Sequence, residues 1–494
     1  MMERWVASAR AIGPVRTAFM ASLLLSLVAA AQGRLVGRDG VFYLEAARRM
    51  LDEGWAAGLK TGAWGILPGL IAAVSALTPL GPEAAARILN GLFMAGTCAL
   101  LVAMVRRRAP ELAWVACLVV LAMPAYNQNR HDIIREYGFW FFCMLAFWLS
   151  MRWHEAPRWR EAIASQLALG VAASFRLEAV AFYPALMLWQ AFAAPAGQRR
   201  RRVLMIGCVP LAGGLVAAFL FGSGLLAVPD RVAYYLDAAN PMRTLQRIGE
   251  AASRMYDAVF PYKYSREEAG YILFFGLLSI IPVKFLKMAG VFVVPLVYAF
   301  VSQPKRATLS RWQPLPWAFL AYALVLTAFV THQFFLVGRY VSLLNLLAVP
   351  VVAAGFAQLM RRFPRWKIPL LALALLTMAA NVLSISPKKT QVVEAGRWLA
   401  EHVADSGQVC MTNSRIAYYA GWRPDGIVLE TAHLDRVLGE GRCAWVVVEV
   451  KKNEDPDAWL KKNRMVAVQR FENADGNAIV IARRGEADPP ASPR

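Results

Sequence analysis

The sequence predicts a polytopic α-helical membrane protein of about eleven spans with a C-terminal soluble α/β domain. Long apolar segments recur from Val15 to Ser384. Every second gap between them is a basic cluster: Arg106-Arg107-Arg108, Arg152 to Arg160, Arg199 to Arg202, Lys305 to Arg311 and Arg361 to Lys367. From Pro387 the long apolar runs stop and short alternating segments begin. Basic loops stay in the cytoplasm, so the alternation also predicts an orientation. The other face carries Asp39, Asp132, Glu136, Arg176, Glu178 and Arg339.

The chain has 494 residues, is 58% hydrophobic and carries a formal charge of +21. Positive-inside loops and attraction to anionic headgroups account for that charge, which argues against a nucleic-acid partner and for membrane lipids. The first apolar stretch, Val15 to Ala31, has a signal-peptide alternative with Ala29-Ala30-Ala31 as small residues. An uncleaved span is the better reading, because the following gap holds the best candidate site. The expected spans lie near 15–33, 83–105, 111–125, 137–153, 161–176, 178–195, 203–222, 284–302, 314–331, 340–360 and 368–384. Within 270–302, one crossing plus a membrane-hugging segment satisfies the charge rule.

The transmembrane domain is expected at 1–384, with amphipathic outer loops at 34–82 and 223–269. Val41 to Leu51 has the spacing of an interfacial helix. Trp64 to Leu80, bracketed by prolines, reads as tucked against the membrane. The second loop reads as a surface helix from Arg231 to Val259, then flexible Pro261 to Tyr264. In the periplasmic domain, 385–494, a helix is expected over Gln391 to Val403. Strands are expected at Val409 to Thr412, Ile427 to Leu429, Trp445 to Val450, Met465 to Arg470 and Ala478 to Ala482. The tail Asp488 to Pro493 reads as disordered. Cys410 and Cys443 read as unpaired buried thiols, with a disulfide open if this domain lies outside the cytoplasm. There is no CxxC zinc spacing and no Walker or dinucleotide glycine motif.

Asp39, in Gly37-Arg38-Asp39-Gly40, is the candidate carboxylate for deprotonating or orienting an acceptor. Its bland reading is a turn residue or the N-cap of a helix starting at Val41. Asp132 and Glu136 share a helical face, and with His131 they make a weak metal candidate. The preferred roles there are Arg135 for phosphate and Glu136 for sugar hydroxyls or for holding Arg135. Arg176 and Glu178 interrupt an apolar stretch, where ionisable groups are expensive and functional by default. A snorkelling internal pair is the alternative. Arg339, beside Tyr340, offers a planar fork for phosphate, or else an interface anchor. Lys60, Lys263 and Arg266 are weaker phosphate candidates. His332, His402 and His433 read as structural.

The order of these features resembles the C-class membrane glycosyltransferases, specifically the protein-mannosyltransferase-like and aminoarabinose-transferase-like family (glycosyltransferase family 39). The matching residues are Arg38-Asp39 after the first span, Leu67-Pro68-Gly69 through Leu80-Gly81, Ala84-Ala85-Ala86-Arg87, Arg135-Glu136, Arg176, Arg339-Tyr340, and Tyr418-Tyr419 in the soluble domain. The resemblance implies transfer of a sugar from a polyprenyl-phosphate donor to a lipid, glycan or protein acceptor, usually with inversion. Carried over, Asp39 would be the acceptor-side base or orienting carboxylate, and Arg135, Arg176 and Arg339 would be phosphate-side or structural; the residue reading adds Arg38, Lys60, Glu136, Glu178 and Tyr340 as substrate or donor-phosphate contacts. No cofactor is required by this reading, and a divalent metal stays open. The chain departs from the family's paired prolines at Trp64 to Pro68, and Gly40 stands where some relatives carry a second carboxylate. The rival classes are a secondary transporter, which should show internal repeats and mid-membrane charges, and a noncatalytic scaffold of the same fold. Sequence expectation places residues 39 and 339 on one side of the membrane. Cysteine-labelling accessibility should report the same side for both, and opposite sides would end the glycosyltransferase reading.

Overall fold

The computed structural model describes residues 12–485 except 34, 63–65, 224, 226, 228–229, 239, 261, 303–308, 384–388, 426 and 430. The basic residues Arg4, Arg10 and Lys305 and the tail 488–493 lie outside the described residues. Among those described, seven helices are long and apolar enough to cross a membrane, and the chain is a multi-pass membrane protein. The main helices are α1 (Pro14–Ala31), α2 (Arg38–Asp52), α3 (Leu67–Leu77), α4 (Pro82–Arg108), α5 (Ala113–Ala122), α6 (Glu136–Glu155), α7 (Trp159–Phe175), α8 (Phe182–Ala193) and α9 (Arg199–Gly222). There follow α10 (Asp230–Ala238), α11 (Pro241–Ala258), α12 (Ala269–Ala289), α13 (Val293–Ser302), α14 (Leu315–Gln333), α15 (Gly338–Arg362) and α16 (Lys367–Val382).

Helix α15 is the centre of this body. Residues Val341 to Ala357 are buried without a break, as expected of a helix that is apolar all round. Gly355 faces the Pro295 carbonyl so closely that an added Cβ would lie 1.9 Å from its oxygen. The expected span 284–302 is in fact one apolar run, Ala269–Ser302, in two helices. It breaks at Gly290, which takes a left-handed φ of 57° and lies against Pro124. Two expected spans are short. Helix α5 has 10 residues and α8 has 12, which at 1.5 Å per residue is well under a bilayer core. Helix α3, of 11 residues, is likewise too short to cross, in keeping with a tucked segment.

Helix α2 departs from the interfacial expectation. It starts at Arg38, with Gly37 as N-cap, so Asp39 stands in its first turn. Eight of its residues are buried, Glu45 included, because the C-terminal region covers its outer side. Arg49 pairs with both Glu45 and Asp425, and Arg423 pairs with Glu53. The Tyr418 hydroxyl donates to Glu83 at 2.9 Å, and the Val36 amide donates to the Tyr419 hydroxyl at 3.0 Å. The surface helix expected at 231–259 is two helices, α10 and α11. The Asn240 side chain caps α11 by accepting from the Met242 amide.

The C-terminal region holds α17 (Thr390–His402), β1 (Val409–Met411), α18 (Ser414–Tyr419), α19 (Thr431–Gly439), β2 (Trp445–Val450), α20 (Asp457–Lys462), β3 (Met465–Glu472) and β4 (Ala478–Arg484). The sheet order is β1-β2-β4-β3. The β1–β2 pair is parallel and the other two pairs are antiparallel. The strand expected at Ile427 to Leu429 is only an isolated bridge from Val428 to Met411. The reading of Cys410 and Cys443 as free thiols is corrected, since a disulfide joins them. Parallel pairing of β1 with β2 brings Cys410 beside the start of β2, where Cys443 lies.

Gly355→Val should lower thermal stability by about 1–3 kcal/mol through overpacking against a fixed carbonyl. Gly213→Val, where an added Cβ meets nothing within 4 Å, is the control. Equal melting temperatures for the two variants in detergent would contradict the packing argument.

Candidate active site

The candidate site is assembled from helix starts at one end of the bundle. Glu136 opens α6, Arg339 sits in the first turn of α15, and Asp39 in the first turn of α2. Carboxylates are favoured at helix N-termini by the peptide dipoles. Arg176 caps α7 in an extended conformation and Glu178 follows in a 3-10 turn, Leu177–Ala181. The Ile66 amide donates to the Ser174 carbonyl at 3.0 Å, tying the entry to α3 to this turn. The basic clusters lie at the opposite ends of the same helices: Arg106 to Arg108 on α4, Arg152 on α6, and Arg361 and Arg362 on α15.

These segments meet in one ionic chain. Arg176 Nη1 donates to Glu136 Oε1 at 2.8 Å, and Nη2 donates to Glu178 Oε1 at 2.5 Å. All three side chains are 4–6% exposed, so each charge depends on the others. Arg339 extends the chain, with Nη2 2.5 Å from Asp39 Oδ2 and Nε 3.3 Å from Glu136 Oε1. Asp39 is the outermost member, with a side chain 43% exposed. The Tyr340 ring lies 4.2 Å from the Arg176 guanidinium, a cation–π contact. The Tyr322 hydroxyl fixes the Tyr340 carbonyl at 3.0 Å.

The expected pairing of Glu136 with Arg135 is corrected, because Glu136 holds Arg176 and Arg339 instead. Arg135 makes no ion pair among the described residues. Tyr43 lies one turn after Asp39 on α2. Burial pushes the Tyr43 hydroxyl up to about 12, with Arg135 opposing. Burial also pushes the Tyr235 hydroxyl of α10 up to about 12; Glu178 adds to this while Arg176 and Arg135 oppose. Helix α10 packs on the end of α14, where the Tyr234 ring lies edge-on to His332 with centroids 5.5 Å apart.

Other candidates fall elsewhere. Arg38 points to the sheet region, 3.9 Å from Glu449. Lys60 ends the short exposed helix Trp55–Lys60 and makes no ion pair among the described residues. His131 Nε2 lies 3.4 Å from Asp132 Oδ1, but Glu136, the third ligand of the metal reading, is turned to arginines. Among the described residues no group of three His, Cys, Asp or Glu side chains is placed to hold a metal. The site also has partners that sequence reasoning missed as site residues. Tyr43 shares the helical face of Asp39, a four-residue spacing that was visible. Glu83 pairs with Arg87 at 2.8 Å, and Arg87 donates to the His131 carbonyl at 3.3 Å.

Residues 66–225 match a family model described as dolichyl-phosphate-mannose-protein mannosyltransferase. That segment contains Arg135, Glu136, Arg176 and Glu178, but not Asp39 or Arg339. Among solved structures, the chain is similar to the Archaeoglobus fulgidus oligosaccharyltransferase, determined in complex with zinc and sulfate. The two are 12% identical, with a TM-score of 0.53 over 87% of this chain and 67% of that one. The chain has a C-class membrane glycosyltransferase fold. No curated protein matches the sequence. Family match and fold together support a membrane glycosyltransferase of this structural class.

Arg176→Met should cost about 3–5 kcal/mol, because Glu178 would be left buried and unpaired and Glu136 would keep only Arg339. Adding Glu178→Gln should recover part of the loss. Thermal unfolding in detergent reads both; a silent single variant would show the cluster is hydrated and unimportant to stability.

Proposed function

We propose that the chain moves a sugar from a polyprenyl-phosphate donor to a lipid, glycan or protein acceptor on the periplasmic face of a bacterial inner membrane. The observation that carries this reading is the convergence of Asp39, Glu136, Arg176, Glu178 and Arg339 from four separate segments. The N-terminus is cytoplasmic in this reading and the sheet domain periplasmic. The Cys410–Cys443 disulfide supports an oxidising compartment for that domain.

The chemistry is a single displacement at the anomeric carbon. The bond from the sugar to the donor phosphate breaks as a bond to the acceptor oxygen forms, which inverts the centre. Asp39 is the acceptor-side residue. Its Oδ2 faces Arg339, and its Oδ1 has no hydrogen-bond partner among the described residues, so that oxygen is free to take the acceptor proton. Glu136 and Glu178 are too buried and too engaged for this task; they hold the two arginines in place. Arg135 is the cation best able to meet phosphate, since it spends no donors on a carboxylate. Tyr43, one turn from Asp39 on α2, supplies a further hydroxyl. In this reading the helices of loop 223–269 act as a lid, and water exclusion there prevents donor hydrolysis.

Asp39→Asn keeps the shape but removes the base. Transfer should fall by about 10²-fold or more, with expression and melting temperature preserved. Mass analysis of envelope glycolipids and glycans from cells carrying each form is the readout. An Asp39→Asn protein that restores the full wild-type glycan to gene-deleted cells would remove Asp39 from the mechanism.

A further inference from the structure

The helices that enter and leave loop 223–269 are both interrupted by proline. Pro210 stands inside α9 and Pro282 inside α12. Proline has no amide hydrogen for the carbonyl four residues back, and its ring crowds that carbonyl. Near each break a buried side chain from a neighbouring helix takes up backbone groups. The Val209 amide donates to Gln166 Oε1 at 2.8 Å, and Gln166 Nε2 donates to the Met205 carbonyl at 2.9 Å. These are the donor and acceptor that one rung of a regular helix joins directly. Gln166, on α7, is fully buried. On α12 the Phe285 carbonyl accepts from Asn345 Nδ2 at 3.0 Å, and Asn345 is fully buried on α15. Prolines and side chains that enter the hydrogen-bond ladder are what bend a helix at one point.

Packing changes at the same two points. In α9 the buried residues Met205, Ile206 and Gly207 all precede Pro210, and Gly207 lies against Met187. Beyond the break, an added Cβ at Gly213 or Gly214 would meet nothing within 4 Å. On the loop side of Pro282 only Ala269 and Leu277 of α12 are buried, and Gly276 is as open as Gly213. Between these lightly held halves, Asp237 of α10 pairs with Arg243 of α11 at 3.0 Å, and α11 packs on α12. The two loop helices therefore move as one body with the loop-side half of α12. Helix α10 closes on the end of α14, where the Tyr234 hydroxyl accepts from Gln333 Nε2 and the Tyr234 ring meets His332. Gln333 ends α14, and the short segment 334–337 leads from it to Arg339.

We propose that α10 and α11, with the loop-side halves of α9 and α12, form one flap. It swings on two proline hinges, at 205–210 and 282–285, and is latched by Tyr234 against His332 and Gln333. Gln166 and Asn345 hold the fixed side of each hinge to the bundle. Opening parts Tyr234 from the end of α14 and so frees the segment that leads into Arg339. The flap is the lid of the proposed transfer reaction, and it rests on that reading for its part in catalysis. Its movement is measured without turnover, so the hinges and the sugar transfer can fail separately.

The test is a double electron–electron resonance distance measurement on the full-length protein in lipid nanodiscs. Nitroxides are carried on encoded p-acetylphenylalanine at Leu245 of α11 and Leu320 of α14, both exposed, so the native cysteines stay in place. Tyr234→Ala removes both latch contacts and should raise the ratio of a longer distance to the closed one roughly tenfold. Pro210→Ala and Pro282→Ala restore the missing amides. Added together to Tyr234→Ala, they should collapse the distribution to a single distance. The distant Arg436→Gln should leave the native distribution unchanged. If the triple variant fails to fold, Pro210→Ala with Tyr234→Ala carries the hinge test and should narrow the spread. A folded Tyr234→Ala protein with the native distribution overturns the proposal, and so does a longer population that survives proline replacement undiminished. Unimpaired transfer by a proline-free protein with a collapsed distribution refutes the lid reading and leaves the hinges standing.

Discussion

The buried guanidinium of Arg176 is the constraint on which the site depends. It lies between Glu136 and Glu178 with almost no access to water. Burying three ionised groups is tolerable only when each is paired at hydrogen-bond distance. That requirement fixes the start of α6 against the turn between α7 and α8. Glu136 then has one oxygen to share with Arg339, and Arg339 has donors left for Asp39. The position of the outermost carboxylate is thus set by an interior charge two links away. The tyrosines complete the arrangement, with Tyr340 stacked on Arg176 and Tyr322 holding the Tyr340 carbonyl.

Much of the fold was legible in the sequence, for identifiable reasons. Alternating basic gaps mark which helix ends lie together, and the described helices have their Arg106 to Arg108, Arg152 and Arg361 ends opposite the Asp39 end. Length and hydropathy located most helices to within a few residues. What escaped depends on contacts between distant segments. Gly290 breaks an apolar run because Pro124 comes close to it, more than 160 residues away in sequence. Ile427 to Leu429 has strand composition but only one bridging partner. Helix α2 looked interfacial because its amphipathic pattern cannot distinguish lipid from a covering domain.

The site divides in the same way. Residue type and membrane sidedness picked out Asp39, Glu136, Arg176, Glu178 and Arg339, since ionisable groups next to apolar spans are costly. Pairing was less accessible. Adjacency suggested that Glu136 holds Arg135, yet the helix start turns Glu136 inward, toward a guanidinium 40 residues later. Cys410 and Cys443, 33 residues apart, became partners only through the parallel pairing of two strands.

The contacts of Arg49 with Asp425 and of Arg423 with Glu53 have a mechanical consequence. The helix carrying Asp39 is a middle layer, gripped by the bundle below and by the sheet region above. A roll of that helix about its own axis would swing the carboxylate away from Arg339. The ion pairs on the far side resist such a roll, so the sheet region behaves as a splint for the first turn of α2. Tightness of that splint, and not only the chemistry of the carboxylate, sets how sharply one orientation is populated.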